Sequence, residues 1–337
     1  MLMRLLERSF FRILPERLKR PLYLRNYSRK SGMILEELSR VPIVESGCES
    51  LGQDRIPFVI LSNNVKLYGQ WPTQFEREVY TCWQELITPA VTEDTIRIAI
   101  DVILRYLYPH AMPQLTAPYP RRARRCCHLQ HIETIEDLPG LSQGCKNKLK
   151  EIYSLKPGET FLDIGAYMGY GTIRLKKELG AESRIISVEP DPDALKLLEK
   201  NISCNNLSNI SLVSKAVWNR SGEILNFSKK DRQANSLISD MIKTHNSVSV
   251  ETTTVDEILR NTDEGTVDAI SITVNGAEVE AVEGMEETIK RCRHIRLSIA
   301  GWYKRGGKRI CEIISPKLRD YGLELAVGQM GGVLAWK

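Results

Sequence analysis

Residues 160 to 171, Thr-Phe-Leu-Asp-Ile-Gly-Ala-Tyr-Met-Gly-Tyr-Gly, restrict this chain more than any other stretch. Phe161, Leu162 and Ile164 read as a short strand buried on both faces, the kind found in parallel sheets covered by helices. Gly165, Gly169 and Gly171 then let the backbone turn tightly and approach a ligand with no Cβ in the way. A helix over 172–179 aims its first N–H groups at that ligand. An isolated glycine loop of this kind is also an ordinary strand-to-helix turn, so the spacing and the surroundings have to decide.

The spacing argues against a dinucleotide. That fingerprint is G-x-G-x-x-G, whereas here the order is G-x-x-x-G-x-G with Asp163 two residues before the first glycine. A carboxylate there repels a phosphate and suits a ligand carrying an amino or sulfonium cation. The next strand, 184–188, runs into Glu189, whose carboxylate can accept both hydroxyls of a ribose. An adenosine joined to an amino acid satisfies both ends.

Downstream, strands and helices alternate. A lead-in helix is expected over 142–154, a helix over 191–205 entered through Pro190 and Pro192, and a strand over 210–217. Alternating runs at 223–227 and 247–254 read as two further strands, followed by a short helix over 255–259. A fourth main strand over 267–274 leads into one helix over 277–291. A fifth over 295–300, a loop at 301–307, a helix over 309–321 and a terminal hairpin, 323–328 with 333–337, complete the chain. This alternation predicts an α/β fold with a doubly wound sheet and right-handed crossovers, and the N-terminal region reads as an α+β extension.

Residues from about 150 to the end resemble the S-adenosylmethionine-dependent methyltransferases of the FkbM family. The resemblance is carried by Leu155-Lys-Pro-Gly-Glu-Thr-Phe-Leu-Asp-Ile-Gly-Ala, Ser187-Val-Glu-Pro-Asp-Pro-Asp, Lys215-Ala-Val and Ile272-Thr-Val-Asn-Gly-Ala-Glu, in that order. It implies the Rossmann-like seven-stranded methyltransferase sheet, and S-adenosylmethionine as cofactor. It assigns Asp163 and Gly165 to the methionine end, Glu189 to the ribose and Ala216 to the adenine edge. Ala166, Tyr167, Gly169 and Asp191 are expected among the residues that line the same cofactor site. Tyr167 replaces the asparagine usual in the family; its phenol either lines the methyl channel or packs over the loop.

The fourth strand departs from the family. There it usually ends Lys-x-Asp-x-Glu-Gly-x-Glu, whereas Ser271, Thr273, Asn275, Gly276 and Glu278 stand here, so three charges are missing. Thr273 and Asn275, with Trp302 after the fifth strand, are the expected substrate contacts, but neither Thr273 nor Asn275 is a base near neutral pH. The base candidates are Glu278, His294 and Tyr303. Each has a plainer reading, as a helix N-terminal charge, a strand-edge residue and a packing residue respectively. Three functions stay open: transfer to a hydroxyl of a sugar, glycan or small molecule; transfer to a nitrogen in RNA or a small molecule; and a cofactor-binding module without chemistry.

Three segments are expected: a basic helical and hairpin region over 1–120, a basic connector with the lead-in helix over 121–150, and the methyltransferase domain over 151–337. Residues 1–14 put Leu2, Leu5, Leu6, Phe10 and Ile13 on one helical face and Arg4, Arg8 and Arg12 on another. Such a helix packs on its own domain or a partner, or lies on an anionic membrane. The basic residues that follow also allow RNA, without any recognised nucleic-acid module. A hairpin is expected around Asn63-Asn64, then helices over 75–86 and 93–107 and a proline-rich connector.

Arg121, Arg122, Arg124 and Arg125 precede Cys126-Cys127-His128-x-x-His131, whose spacing matches no established zinc pattern, so no metal is expected. The arginines are either a phosphate-binding run or a solvated one. Eight cysteines at irregular spacing and no secretory leader favour a reducing, cytoplasmic location. No run approaches the roughly 20 apolar residues of a membrane span.

Overall fold

The computed structural model describes residues 43–61, 64–69, 135, 138, 140–229, 236–238, 247–262, 265–328 and 331–337. The chain divides into two units, Met1–Arg125 and Cys126–Lys337. In the first, strands β1 (Ile43–Leu51), β2 (Asp54–Leu61) and β3 (Lys66–Tyr68) form an antiparallel meander. The turn before β3 places Asn64 at φ 59°, a left-handed conformation that asparagine tolerates. The expected helices over 1–14, 75–86 and 93–107, the proline connector and the Arg121–His131 run all lie outside the described residues. So does the basic segment for which packing on the domain or a partner, a membrane surface and RNA are the readings.

The second unit opens with α1 (Gln143–Ile152), capped by Ser142, whose hydroxyl accepts from the amide of Cys145. Strand β4 (Thr160–Ile164) is the centre of the sheet, followed by α2 (Tyr170–Leu179), β5 (Arg184–Val188) and α3 (Pro192–Cys204). Asp191 caps α3 by accepting from Asp193 N, and Pro192 occupies the first turn, where its missing N–H has no consequence.

The expected strand over 210–217 is two strands. β6 (Ile210–Val213) stays in the main sheet, whereas β7 (Ala216–Val217) leaves it to pair with β9 (Ser247–Thr253), itself paired with β8 (Ile224–Ser228). Phe227 and Val250 cover Ala216 there, and burying that face favours the departure over continuing along β5.

Helix α4 (Val255–Arg260) begins at Thr254, which accepts from Glu257 N. After β10 (Ala269–Ile272) the single helix expected over 277–291 is broken into α5 (Glu278–Glu283) and α6 (Glu286–Arg291). Gly284 sits at the break because a Cβ there would stand 2.3 Å from the Trp218 carbonyl oxygen. The second sheet thus presses on the helix at one point.

β11 (Arg296–Ala300) is followed by a small hairpin, β12 (Lys304–Arg305) with β13 (Lys308–Arg309), where only a loop was expected. Then come α7 (Ile310–Asp320), β14 (Glu324–Val327) and β15 (Gly332–Trp336).

The main sheet has the order β14-β15-β11-β10-β4-β5-β6. Its five strands from β11 to β6 are parallel, and β15 is antiparallel to both β11 and β14. This is the expected α/β, doubly wound, Rossmann-like sheet of seven strands. Leu162, Ile164, Ile186, Val188, Ile270, Ile272, Leu297 and Ile299 are buried in its middle, each contributing about 1.5–3 kcal/mol of burial. The strand order reverses between β4 and β10, and ligands of such sheets lie outside the carboxyl ends at that point.

Candidate functional site at the carboxyl ends of the parallel strands

Register decides which side chains share a face. Asp163 of β4 pairs with Ser187 of β5, and Glu189 follows Ser187 by two residues, so Asp163, Ser187 and Glu189 point to the same side. The amide of Glu189 still bonds to the Val213 carbonyl, which keeps it in the pleat. The loop after β4 hooks over the tip of β5, where Gly165 N and Ala166 N both donate to the Val188 carbonyl. Gly165 has φ 87°, and a Cβ on it would meet the Thr273 carbonyl oxygen at 2.1 Å, so only glycine fits between β4 and β10 here.

Glu189 holds this loop in place. One carboxylate oxygen accepts from Tyr167 N at 2.8 Å and the other from Asp191 N at 2.9 Å. Tyr167 is held at φ 52°, left-handed for an aromatic residue, at a cost of about 1–2 kcal/mol. Burial pushes the Glu189 carboxyl up to about 7; the two backbone amides pull it down, and the negative charges of Asp191 and Asp163 push it up further.

Asp163 is fully buried and accepts from the Thr172 hydroxyl at 3.0 Å, with Ser187 Oγ 3.0 Å from Thr172 Oγ1. Asp163 ties β4 to α2 and β5 through this bond and lends negative potential to the Glu189 corner. Asn201 of α3 fixes the same loop by donating to the Met168 carbonyl at 2.8 Å. Helix α2 starts at Gly169 with no side-chain cap.

The tips of β10 and β11 are built differently. Asn275 has φ 54°, and its side-chain oxygen accepts from the Tyr303 hydroxyl at 2.5 Å. Glu278 accepts from Val274 N at 3.1 Å and Gly276 N at 2.8 Å, bracing the turn that carries Asn275. Burial pushes the Glu278 carboxyl up to about 7 against the pull of these amides and its own, and Glu280 adds to the rise. Arg305 makes two bonds to the Glu280 carboxylate at 2.8 and 2.7 Å, joining the β12–β13 hairpin to α5. Thr273 is half-buried at the end of β10 and donates its amide to Ile164 O. Trp302 is half-buried beside Tyr303, ring centroids 6.2 Å apart, and its indole nitrogen is buried with no hydrogen-bond partner.

The base candidates are thereby separated. His294 is exposed and precedes β11, at the amino end of the sheet, so it lies at the wrong edge. Its neighbour Arg296 is ion-paired with Glu159, also at that edge. Glu278 is committed to backbone amides, and only Tyr303 stands beside the substrate candidate Asn275. Ala216 follows β6 in β7 and is buried with Phe227 and Val250. Sequence reasoning gave no role to Thr172, Ser187, Asn201, Ser236, Lys229 or Arg305. The available signals were the S-x-E spacing at 187–189 and the place of Thr172 directly after the glycine turn; the others come from distant segments with no motif.

Residues 163–314 match the Methyltransferase FkbM domain. The C-terminal unit carries an FkbM methyltransferase domain. Arsenite methyltransferase of Halobacterium salinarum is 27% identical over 111 residues, covering 33% of this chain and 26% of that protein. The chain thus spans about a quarter of the length of that curated relative. Among solved structures, a SAM-dependent methyltransferase from Aquifex aeolicus superposes with a TM-score of 0.34 at 14% identity, covering 61% of this chain and 96% of that one. Fibrillarin from Aeropyrum pernix, with natively bound S-adenosyl-L-methionine, gives 0.36 at 12%, covering 87% and 99%.

S-adenosylmethionine is the cofactor of FkbM domains, and the donor set fits it. Each Glu189 oxygen accepts one amide, and a carboxylate has about four acceptor sites, which leaves capacity for a diol. Asp163, Glu189 and Asp191 together supply the negative potential that a sulfonium cation favours and a phosphate does not. Among the described residues no group of three metal-binding side chains occurs, and no helix is long and apolar enough to cross a membrane.

Proposed function

We propose that the FkbM domain holds S-adenosylmethionine across the tips of β4 and β5 and transfers its methyl group to a hydroxyl of a sugar, glycan or small molecule bound against the tips of β10 and β11. The observation that carries this reading is the pairing of an acid-lined corner around Glu189 with a neighbouring neutral corner of Thr273, Asn275, Trp302 and Tyr303. When bound, the cofactor supplies an electrophilic methyl group on a sulfonium sulfur.

The residues of the chain then have three tasks. Glu189 accepts the ribose hydroxyls while its two amide bonds keep the Gly165–Gly169 loop open to the ligand. Asn275 and Tyr303 hold the acceptor in line; because the Tyr303 hydroxyl donates to Asn275, its oxygen presents acceptor character to an incoming hydroxyl proton. Glu278 keeps the turn in shape, and Trp302 offers an indole N–H to an acceptor oxygen.

A second reading, transfer to a nitrogen in RNA or a small molecule, is favoured by one observation. Both carboxylates of the β10 turn are engaged, Glu278 by amides and Glu280 by Arg305, and a neutral nitrogen needs no proton removed. Labelled-methyl transfer in native extract, followed by hydrolysis of the product, separates the readings. An O-methyl product is expected; an N-methyl product selects the second reading, and cofactor binding without any labelled product indicates a binding module.

A further inference from the structure

Three acids crowd one corner of this sheet, Asp163 from β4 and Glu189 and Asp191 after β5, all of them buried. Their mutual repulsion opposes keeping Glu189 ionised. Among the described residues the cation that enters this corner comes from outside the main sheet. Lys229, at the end of β8, places its ammonium 2.7 Å from Asp191 and 2.6 Å from Asp193. Asp191 is in turn bonded through its amide to Glu189 at 2.9 Å.

Lys229 is not a loose surface chain. Ser228, the residue before it, makes two backbone bonds with Ser236, at 2.9 and 3.1 Å. Ser236 is fully buried and donates its hydroxyl to the Asn275 carbonyl at 2.8 Å, while accepting from Ile238 N at 3.0 Å. The end of β8 is therefore fastened to the tip of β10 on one side and, through Lys229, to the tip of β5 on the other. A cation whose backbone is fixed in this way gives up less freedom in making its contacts than one on an exposed loop.

Resting on the cofactor reading above, we infer that Lys229 is a positioning residue for S-adenosylmethionine: acting through Asp191, it offsets the crowded acids so that Glu189 stays a carboxylate able to accept the ribose hydroxyls. Among the described residues the charged groups acting on Glu189 are Asp163 on β4 and Asp191 before α3; Lys229 from β8 and the exposed Asp193 are joined to this set through Asp191. The Lys229 ammonium itself is desolvated by burial, which lowers its proton affinity, but the bonds to Asp191 and Asp193 more than reverse this and keep it charged. The extra strands of this domain thereby acquire a role in cofactor binding besides covering the fold.

The test is calorimetric titration of the full chain with S-adenosylmethionine and with S-adenosylhomocysteine from pH 6 to 9, using wild type, Lys229→Met, Lys229→Arg and Asp193→Asn. Wild-type affinity is expected to strengthen as pH rises through about 7, where Glu189 ionises. In Lys229→Met that rise moves to higher pH, and affinity at pH 7 falls about tenfold for both ligands, roughly 1.4 kcal/mol. Lys229→Arg restores the wild-type profile, and Asp193→Asn, which removes only the exposed partner, stays within about twofold.

A wild-type profile in a folded Lys229→Met overturns the role of Lys229 while leaving the cofactor site standing. An effect confined to S-adenosylmethionine overturns it too, since Lys229 then acts on the sulfonium and not through Glu189. Absence of binding of both ligands by the wild type rejects the cofactor reading itself. If Lys229→Met unfolds, the arginine variant and the Asp193→Asn variant decide: a shifted profile in arginine with an unshifted one in Asp193→Asn contradicts the proposal.

Discussion

The tips of β4 and β5 and the tips of β10 and β11 lie side by side in one sheet and solve the same local problem in opposite ways. In each, a buried glutamate, Glu189 or Glu278, accepts two backbone amides and shapes a turn containing a left-handed non-glycine residue, Tyr167 or Asn275. Around Glu189, among the described residues, the neighbours are more acids, with Lys229 paired to one of them, Asp191. Around Glu278 they are an amide, a phenol and an arginine-paired Glu280. The difference teaches that a carboxylate bracing a turn becomes a ligand group only when its surroundings leave a charge to be used. The first corner suits a cation with hydroxyls, and the second suits a neutral acceptor.

The strongest way to break this comparison is at the seam between the corners. Gly165→Ala adds a Cβ at φ 87° and 2.1 Å from the Thr273 carbonyl, and is expected to cost about 4 kcal/mol in urea denaturation. Unchanged stability shows that the two loops do not meet as described.

Glu278→Ala comes next, with about 3 kcal/mol expected because it strands the amides of Val274 and Gly276. The same residue predicts a pH dependence. Its folded-state pKa, about 7, lies above the ordinary 4.5, so the folded chain keeps a proton that the unfolded chain has released. The stabilisation is complete below about 4.5 and is lost as pH rises through about 7, on the order of 3 kcal/mol in all. Glu189 has the same sign and window. In thermal melts, Glu278→Gln should flatten the fall in Tm across that window; an unaltered slope assigns it to Glu189 alone.

Smaller effects sharpen the contrast. Arg305→Met releases Glu280 and is expected to cost about 1 kcal/mol, the pair being partly exposed, with cofactor affinity held within about twofold. A larger loss of affinity shows that the corners are not separable. Tyr167→Asn puts a residue tolerant of the left-handed region at φ 52° and should raise stability by up to about 1 kcal/mol. Destabilisation instead means that the ring packs over the loop strongly enough to outweigh the strain.

How much of this was legible in the sequence follows from the range of each interaction. The parallel sheet, the helices that begin near 142 and 255, and the acids at two neighbouring strand tips are local patterns, and periodicity and spacing expose them. Asp163 is legible as an acid beside the glycine loop, but nothing within the motif shows that Thr172 bonds to it. The break in the 277–291 helix was invisible, since Gly284 answers to a carbonyl 66 positions earlier, at Trp218. His294 looked chemically apt until strand direction put it at the amino edge. Lys229 and Ser236 belong to no motif, because their partners, Asp191 and Asn275, lie about 40 residues away in opposite directions along the chain.

The central claim is that Glu189 grips the ribose of S-adenosylmethionine. Calorimetric titration of wild type and Glu189→Ala at pH 8, where the carboxyl is ionised, tests it most directly. A wild-type complex weakened roughly tenfold to hundredfold in the variant is the predicted result, from the loss of hydrogen bonds to a charged group. Equal affinity in a folded variant contradicts the account.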